Sequence, residues 1–138
     1  MSEPPKSEPE AKAEDAPRGE LTVRVKAMPA DTNANGDIFG GWVLSQMDIA
    51  GAITASEIAR GRVVTLKVDS MIFHRPVKVG DTLCVYTEVE KIGRTSMTIH
   101  IECWARRFLT LNREQVTEAK FVFVAIDENG KSRPVTEG

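Results

Sequence analysis

The sequence predicts an α+β fold in which an antiparallel β-sheet wraps around one long central helix. One helical stretch of mostly apolar and small residues starts near Gly40 or Gly41 and runs to about Arg60. Five runs alternate apolar and polar residues, one before this stretch and four after it. Because strands joined by short turns form an antiparallel sheet that needs apolar cover on one face, the helix is expected to pack against the sheet.

The chain is expected to contain one domain between two short tails. Residues 1–20 are rich in Pro, Glu, Lys and Ala, a composition that predicts a disordered N-terminal tail. Residues 21–133 then form the domain, and residues 134–138 a C-terminal tail. The core of so short a domain is modest, so cover by a partner chain, as in a dimer, is expected.

The elements follow in order along the domain. Leu21, Val23 and Val25 alternate with polar residues and predict the first strand. Residues 29–36, which include an Asn-Gly pair, form a turn before the helix. Gly61 directly follows the helix and is expected to form its C-terminal cap.

Four more strands are predicted after the helix. The segment 105–113 is interpreted as a connection between the last two of them. The alternating residues are Val64, Leu66, Val68 and Ile72; Leu83, Val85, Thr87 and Val89; Met97, Ile99, Ile101 and Cys103; and Ala119, Phe121, Phe123 and Ala125.

Composition argues against several classes of function. The formal net charge is −2 and the charges are scattered, so no basic field for nucleic acid is expected. Neither a membrane-spanning run nor a signal peptide is found in the sequence, which predicts a cytoplasmic protein without membrane partners. Cys84 and Cys103 are typical of reduced core thiols, and His74 and His100 show no ligand spacing, so no bound metal is expected.

Asp48 is the most informative residue, because it is the only charged one between Asp37 and Glu57. A helix that is apolar nearly all round is predicted to be buried. An ionised carboxylate there costs several kcal/mol unless it is paired or takes part in chemistry. The structural alternative is a buried acid that is hydrogen-bonded to the backbone or to Ser45.

Several motifs resemble the hotdog-fold acyl-CoA thioesterases, most closely the YciA-like type. They are the phrase AMPADTNANGDIFGGW, the entry GDIFGGWVLSQMD into the helix, the stretch RGRVVTLKVDSMIFHRPVKVGD and the turn KIGRTS. The resemblance runs from about Leu21 to Arg133. It implies a hotdog fold and hydrolysis of acyl-CoA without a metal or cofactor, since coenzyme A is part of the substrate and a product.

The resemblance also implies the site residues. The family's catalytic acid matches Asp48, and its paired glycines match Gly40 and Gly41, where a backbone N–H polarises the thioester carbonyl. Phe39 stands where other hotdog thioesterases carry His. Asp37 falls where some relatives carry a catalytic Asn and is a second candidate, although an acid before a helix is more often a turn or helix-start residue. The family's site lies between two subunits.

Helix geometry independently favours a site built from two chains. The N-terminus of a helix offers unpaired N–H groups to a developing oxyanion, and Gly40 and Gly41 allow close approach. Asp48 lies eight residues beyond Gly40, roughly 12 Å up the same axis, which is too far for both to act on one carbonyl. We therefore expect an unpaired Asp48 to face the helix start of a neighbouring subunit, in a dimer that assembles into a tetramer or a hexamer.

Cations or N–H groups are needed for the phosphates of coenzyme A. The candidates are Arg94, Thr95 and Ser96, Arg62, and Arg75 with Lys78, all of which would otherwise be ordinary surface residues. Whether Asp48 activates water or attacks the thioester itself is left open, with water activation preferred. The alternative functions are a non-catalytic acyl-CoA-binding hotdog protein and a dehydratase, which would need a histidine near the helix start.

Overall fold

The computed structural model describes residues 16–137, so residues 1–15 of the predicted tail lie outside it. The helix α1 spans Gly40–Ala59, as the sequence predicts. The strands are β1 (Glu20–Lys26), β2 (Val63–Phe73), β3 (Thr82–Ile92), β4 (Ser96–Arg106) and β5 (Arg113–Ala125). Short 3₁₀ turns at Pro29–Asp31 and Val135–Glu137 complete the described elements.

The five strands form one antiparallel sheet in the order β1-β3-β4-β5-β2. The helix contacts every strand of this sheet. The predicted arrangement of one long helix against an antiparallel sheet is therefore confirmed. The connection predicted at 105–113 is shorter, because β4 continues to Arg106 and β5 begins at Arg113.

The core lies between the helix and the sheet. Gly51 makes the closest approach: a Cβ there would come within 2.6 Å of the Phe123 ring and 2.8 Å of Ile101. Cys84 and Cys103 are buried and free, as expected, and burial raises the pKa of the Cys103 thiol. The largest fully buried side chains are Phe121, Phe123, Met47, Leu83, Met97, Ile99 and Ile101.

Two predicted boundaries differ in detail. The left-handed residue at the end of α1 is Arg60 (φ 53°), and not Gly61. Gly61 instead leaves room for the Arg133 side chain, since a Cβ there would lie 2.6 Å from it. The Arg133 guanidinium donates a 2.9 Å hydrogen bond to the Ala59 carbonyl at the end of the helix. The packed domain also extends past residue 133 into the predicted C-terminal tail, because Val135 is buried in the core.

The helix is buried on only one side of the single chain, which corrects the expectation of a wholly buried helix. Leu44, Ile49 and Ile53 are exposed on its other side. Strand β2, at the edge of the sheet, is exposed too: Leu66 is 62% and Ile72 is 55% accessible. These exposed apolar residues predict contact with another chain, because large apolar surfaces on edge strands are normally covered. Among the residues that the structure describes, none of the helices combines the length and the hydrophobicity of a membrane span.

Candidate active site

Asp48 lies at the junction between α1 and the edge strand β2. The Thr65 hydroxyl donates a 2.5 Å hydrogen bond to Asp48 Oδ1. The carboxylate is half-buried in the single chain, and the expectation of an unpaired acid is wrong, because Thr65 bonds to it. The reason is that β2 follows the helix directly and runs back along it, which brings Thr65 beside Asp48. One carboxylate oxygen is thereby oriented within the same chain.

The start of the helix keeps its backbone amides free of side-chain caps. Phe39 is the N-cap residue, and within the described chain no side chain bonds to the amides there. A Cβ at Gly41 would meet nothing within 4 Å, whereas one at Gly40 would touch the Phe73 ring at 3.4 Å. The first N–H groups of a helix have no intrahelical acceptor. This end is therefore an open backbone donor site with the positive end of the helix dipole behind it.

Asp37 precedes the helix start but is engaged elsewhere. Its carboxylate forms an ion pair with Lys78, and the two residues also form a β-bridge. Its backbone N–H donates to Oδ1 of Asn33 at 3.1 Å. Two predicted site residues, Asp37 and Lys78, are thus brought together as a pair that holds the loop before the helix. This arrangement gives Asp37 a structural role in the loop.

Arg75, a predicted phosphate ligand, is also engaged. It donates to the Gln115 carbonyl at 2.8 Å and lies 3.3 Å from the Glu114 carboxylate. Both Arg75 and Lys78 follow the end of β2, on the segment that carries the bridge to Asp37. Their positive charges are therefore already matched by carboxylates.

The other predicted phosphate ligands gather at the opposite end of the helix. The adjacent residues Ala125 and Ile126 donate to the carbonyls of Thr95 and Arg62, at 2.9 and 3.0 Å. Arg94 is exposed beside Thr95, and its carbonyl accepts a 2.8 Å hydrogen bond from Val135. Arg62, Arg94, Thr95 and Ser96 thus form one group, which we call the basic turn.

An open groove of about 450 Å³ lies between Arg62 of the basic turn and the neighbours of Asp48. It begins at Ala52, one helical turn beyond Asp48, and at Val64, the neighbour of Thr65. Arg62 lines its other end. The remaining lining residues are Ile49, Ile53, Ser56, Val63 and Ile126. The groove is therefore open and mainly apolar, with the cation Arg62 on the side remote from the carboxylate.

A second polar group lies on the outer face of the sheet, away from the helix. His100 and Glu102 are buried and lie 2.8 Å apart, and Trp104 donates to Glu102 at 2.9 Å. Their neighbours Ile99 and Ile101 belong to the core, so these polar side chains point to the opposite face. His74 joins the group through Glu118, at 3.2 Å. His100 is therefore a β4 residue on this outer face, as expected, whereas His74 lies just after the end of β2 and not in a strand.

Burial raises the pKa of the Glu102 carboxyl, but hydrogen bonds from His100, Trp104 and the Arg18 backbone outweigh it. The net result is a pKa below the ordinary value. Glu102 is therefore held ionised in a buried position, where its bonds to β4 and to the segment before β1 stabilise the sheet.

One long helix against a five-stranded antiparallel sheet, with an acid beside the edge strand and an uncapped helix start, defines a hotdog-fold protein. A family model described as the Thioesterase superfamily matches residues 35–107. The chain belongs to this superfamily, and the predicted resemblance to hotdog-fold, YciA-like thioesterases is confirmed.

Similar proteins agree with this assignment. The acyl-CoA thioester hydrolase YciA of Salmonella typhimurium is 55% identical over 125 residues, which are 88% of this chain and 94% of the relative. A hexameric thioesterase from Yersinia pestis has a TM-score of 0.83 and 57% identity, over 86% of this chain and 97% of its own. A hexameric hotdog-fold thioesterase of Campylobacter jejuni has a TM-score of 0.82 and 41% identity, over 86% and 92%.

Proposed function

We propose that this protein hydrolyses acyl-CoA to a free carboxylic acid and coenzyme A, with Asp48 as the general base. The observation that carries the proposal is the hydrogen bond from Thr65, which orients one Asp48 oxygen at the open side of the helix. Membership of the thioesterase superfamily supports the reaction type, and the similarity to YciA of Salmonella typhimurium supports the acyl-CoA substrate.

In the proposed reaction, Asp48 takes a proton from a water molecule as the water oxygen attacks the thioester carbonyl carbon. The carbonyl oxygen becomes an oxyanion, which the backbone amides at Gly40 and Gly41 stabilise. The C–S bond then breaks, and the acid and the coenzyme A thiol are released after the proton is returned to sulfur. Asp48 needs only to hold and transfer this proton, since water supplies the oxygen atom.

The amides and the base come from different subunits in this proposal. Within one chain the helix separates Gly40 from Asp48 by roughly 12 Å, more than one carbonyl can span. The exposed residues Leu44 and Ile49 of α1, with Leu66 of β2, supply the apolar surface on which a second subunit packs. A partner related by a two-fold axis would place its helix start opposite this Asp48.

The groove from Ala52 to Arg62 is proposed to hold the pantetheine arm of coenzyme A. Its apolar walls suit the arm, and its end at the basic turn offers Arg62, Arg94 and hydroxyl groups to the phosphates. Arg75 and Lys78 are assigned no phosphate, because Glu114 and Asp37 already neutralise them. The six predicted phosphate ligands thus divide into two groups.

The assembly proposed for this chain is a hexamer built as a trimer of dimers. The thioesterases from Yersinia pestis and Campylobacter jejuni are hexameric, and both are similar to this chain over 86% of its length. Because two chains complete each site, the dimer is the smallest unit expected to hydrolyse substrate.

The direct test is to replace Asp48 by Asn in the full chain and to follow release of free thiol from acetyl-, octanoyl- and palmitoyl-CoA. We expect wild-type protein to release thiol and the variant to lose at least about a hundredfold in kcat, as for a removed base. Retained circular dichroism and oligomer size would show that the fold is intact. Binding of CoA esters by wild-type protein without any thiol release would instead identify a non-catalytic binder.

A further inference from the structure

The turn between β4 and β5, residues 107–112, exposes more apolar surface than a water-facing turn needs. Leu109 is 86%, Leu111 is 58% and Phe108 is 57% accessible. Leu109 is the most exposed large apolar residue in the described part of the chain. Single exposed apolar residues are common, but three within one tight turn mark an interaction surface. We call residues 107–112 the hairpin tip.

The hairpin tip is held in a fixed shape. Asp81, which is buried, accepts a 2.6 Å hydrogen bond from Arg107 and a 3.2 Å one from the Phe108 backbone. The backbone closes on itself, since Arg107 donates to the Asn112 carbonyl at 2.8 Å and Leu111 donates to the Arg107 carbonyl at 3.0 Å. A surface that is already ordered loses little conformational entropy on binding.

Leu111 adopts a left-handed backbone conformation (φ 62°). This conformation costs a residue with a Cβ about 1–2 kcal/mol, and Gly or Asn would adopt it at less cost. A leucine there is unfavourable for the turn taken alone, and its side chain is exposed in the single chain. Backbone strain of this kind clusters at functional sites.

The rim of the tip is charged. The Lys26 ammonium lies 4.8 Å from the centre of the Phe108 ring, and Phe108 packs over Gly80. Arg106 is exposed beside it. An apolar centre with a charged rim is typical of a protein interface.

The small area of the tip favours a partner that is already held nearby. Three side chains offer only on the order of a few hundred Å², below the roughly 800 Å² per partner of a standard interface, so the tip alone would not hold two free proteins together. It suffices where copies are already paired through α1 and β2, because each dimer carries two tips and closure of a ring makes the later contacts intramolecular.

We propose that the hairpin tip is the contact between dimers, packing against a second dimer of this same chain. The proposal rests on the hexamer proposed above, but not on hydrolysis. The helix and β2 form the two-fold contact, and a closed trimer of dimers needs a second, separate one. The tip provides it, with Leu109 and Leu111 as its buried centre.

The test is the double variant Leu109→Ser with Leu111→Asn, sized by analytical ultracentrifugation beside wild-type protein. Asn tolerates the left-handed conformation, so the turn is expected to fold. Leu21→Ser, which removes an exposed leucine from β1, is the matched control. We expect a hexamer for wild type and control, and a dimer that still hydrolyses acyl-CoA for the double variant.

A double variant that stays hexameric, or a wild-type protein that is only a dimer, would overturn the proposal. Dissociation of the Leu21→Ser control as well would overturn it too, since no particular surface would then be responsible. A third contradicting result is a double variant that stays hexameric but no longer binds phosphatidylglycerol vesicles, to which the wild-type hexamer binds. The tip would then be a lipid contact. If the wild-type protein is a hexamer without hydrolytic activity and the double variant is a dimer, the proposed hydrolysis is rejected and the proposed contact through the hairpin tip is supported.

Discussion

The Thr65 hydroxyl and the Asp48 carboxylate are joined by a 2.5 Å hydrogen bond that links the edge strand to the central helix. The bond occupies one oxygen of the carboxylate and leaves the other for water. Thr65 is therefore a positioning residue for the proposed base, and it was not recognised from the sequence.

Replacing Thr65 by Val removes this bond and keeps the shape of the side chain. We expect kcat to fall about ten- to hundredfold, because a base displaced by even 1 Å loses much of its effect. Thr65→Ser restores the hydroxyl and should recover most of the activity, while KM changes little in either variant. Steady-state kinetics on one acyl-CoA separates the two parameters. Equal losses in the Val and Ser variants would mean that the hydroxyl does not orient Asp48.

Gly41 and Gly51 lie on the same helix but should respond oppositely to Ala. A Cβ at Gly41 meets nothing within 4 Å in the chain, so Gly41→Ala should keep or raise stability, by up to about 1 kcal/mol, while it hinders approach of the substrate carbonyl and lowers turnover. Gly51→Ala places a methyl 2.6 Å from the Phe123 ring and should destabilise the fold by about 1–3 kcal/mol.

Urea unfolding and thiol release, measured on both glycine variants, check this contrast. Full activity of Gly41→Ala would contradict an oxyanion site at the helix start. Unchanged stability of Gly51→Ala would show that the sheet moves away from the helix at small cost.

Much of the fold could be predicted from the sequence, since the period of the apolar residues defines a helix and five strands. The site was predicted less completely, and for a physical reason. Asp48 stands out as a single charge in an apolar helix, but Thr65 is an ordinary strand residue whose role arises only when β2 returns along α1. The pairing of Lys78 with Asp37 likewise depends on a tertiary bridge that no local pattern reports.

The division of the basic residues predicts which arginine holds a phosphate. Arg62→Gln should raise KM for acyl-CoA about ten- to hundredfold with little change in kcat, because a charge-assisted contact contributes about 1.5–3 kcal/mol. Arg75→Gln is the matched control. In the wild type the Arg75 guanidinium bonds to the Gln115 carbonyl and lies beside Glu114, so the KM of this variant should stay within about twofold of the wild-type KM. The KM of the wild type and of Arg75→Gln should also rise with salt more steeply than that of Arg62→Gln. A KM effect confined to Arg75→Gln would move the nucleotide to the other end of the helix.

The lowered pKa of Glu102 predicts how the free energy of unfolding depends on pH. Although burial acts to raise its pKa, hydrogen bonds from His100 and Trp104 keep the pKa below the ordinary value of 4.5. A carboxyl whose pKa is lower in the folded than in the unfolded state contributes stability above the unfolded pKa and loses it as pH falls through the folded pKa.

Glu102→Gln should therefore lower the free energy of unfolding at pH 7, by about 1–3 kcal/mol for a buried charged acceptor. The deficit relative to wild type should shrink as the pH is lowered below about 4.5, which urea unfolding at several pH values can follow. Glu57→Gln, at an exposed helix carboxylate, is the control and should show no such convergence. A deficit that stays constant down to about pH 3 would mean that Glu102 acts through packing and not through its charge.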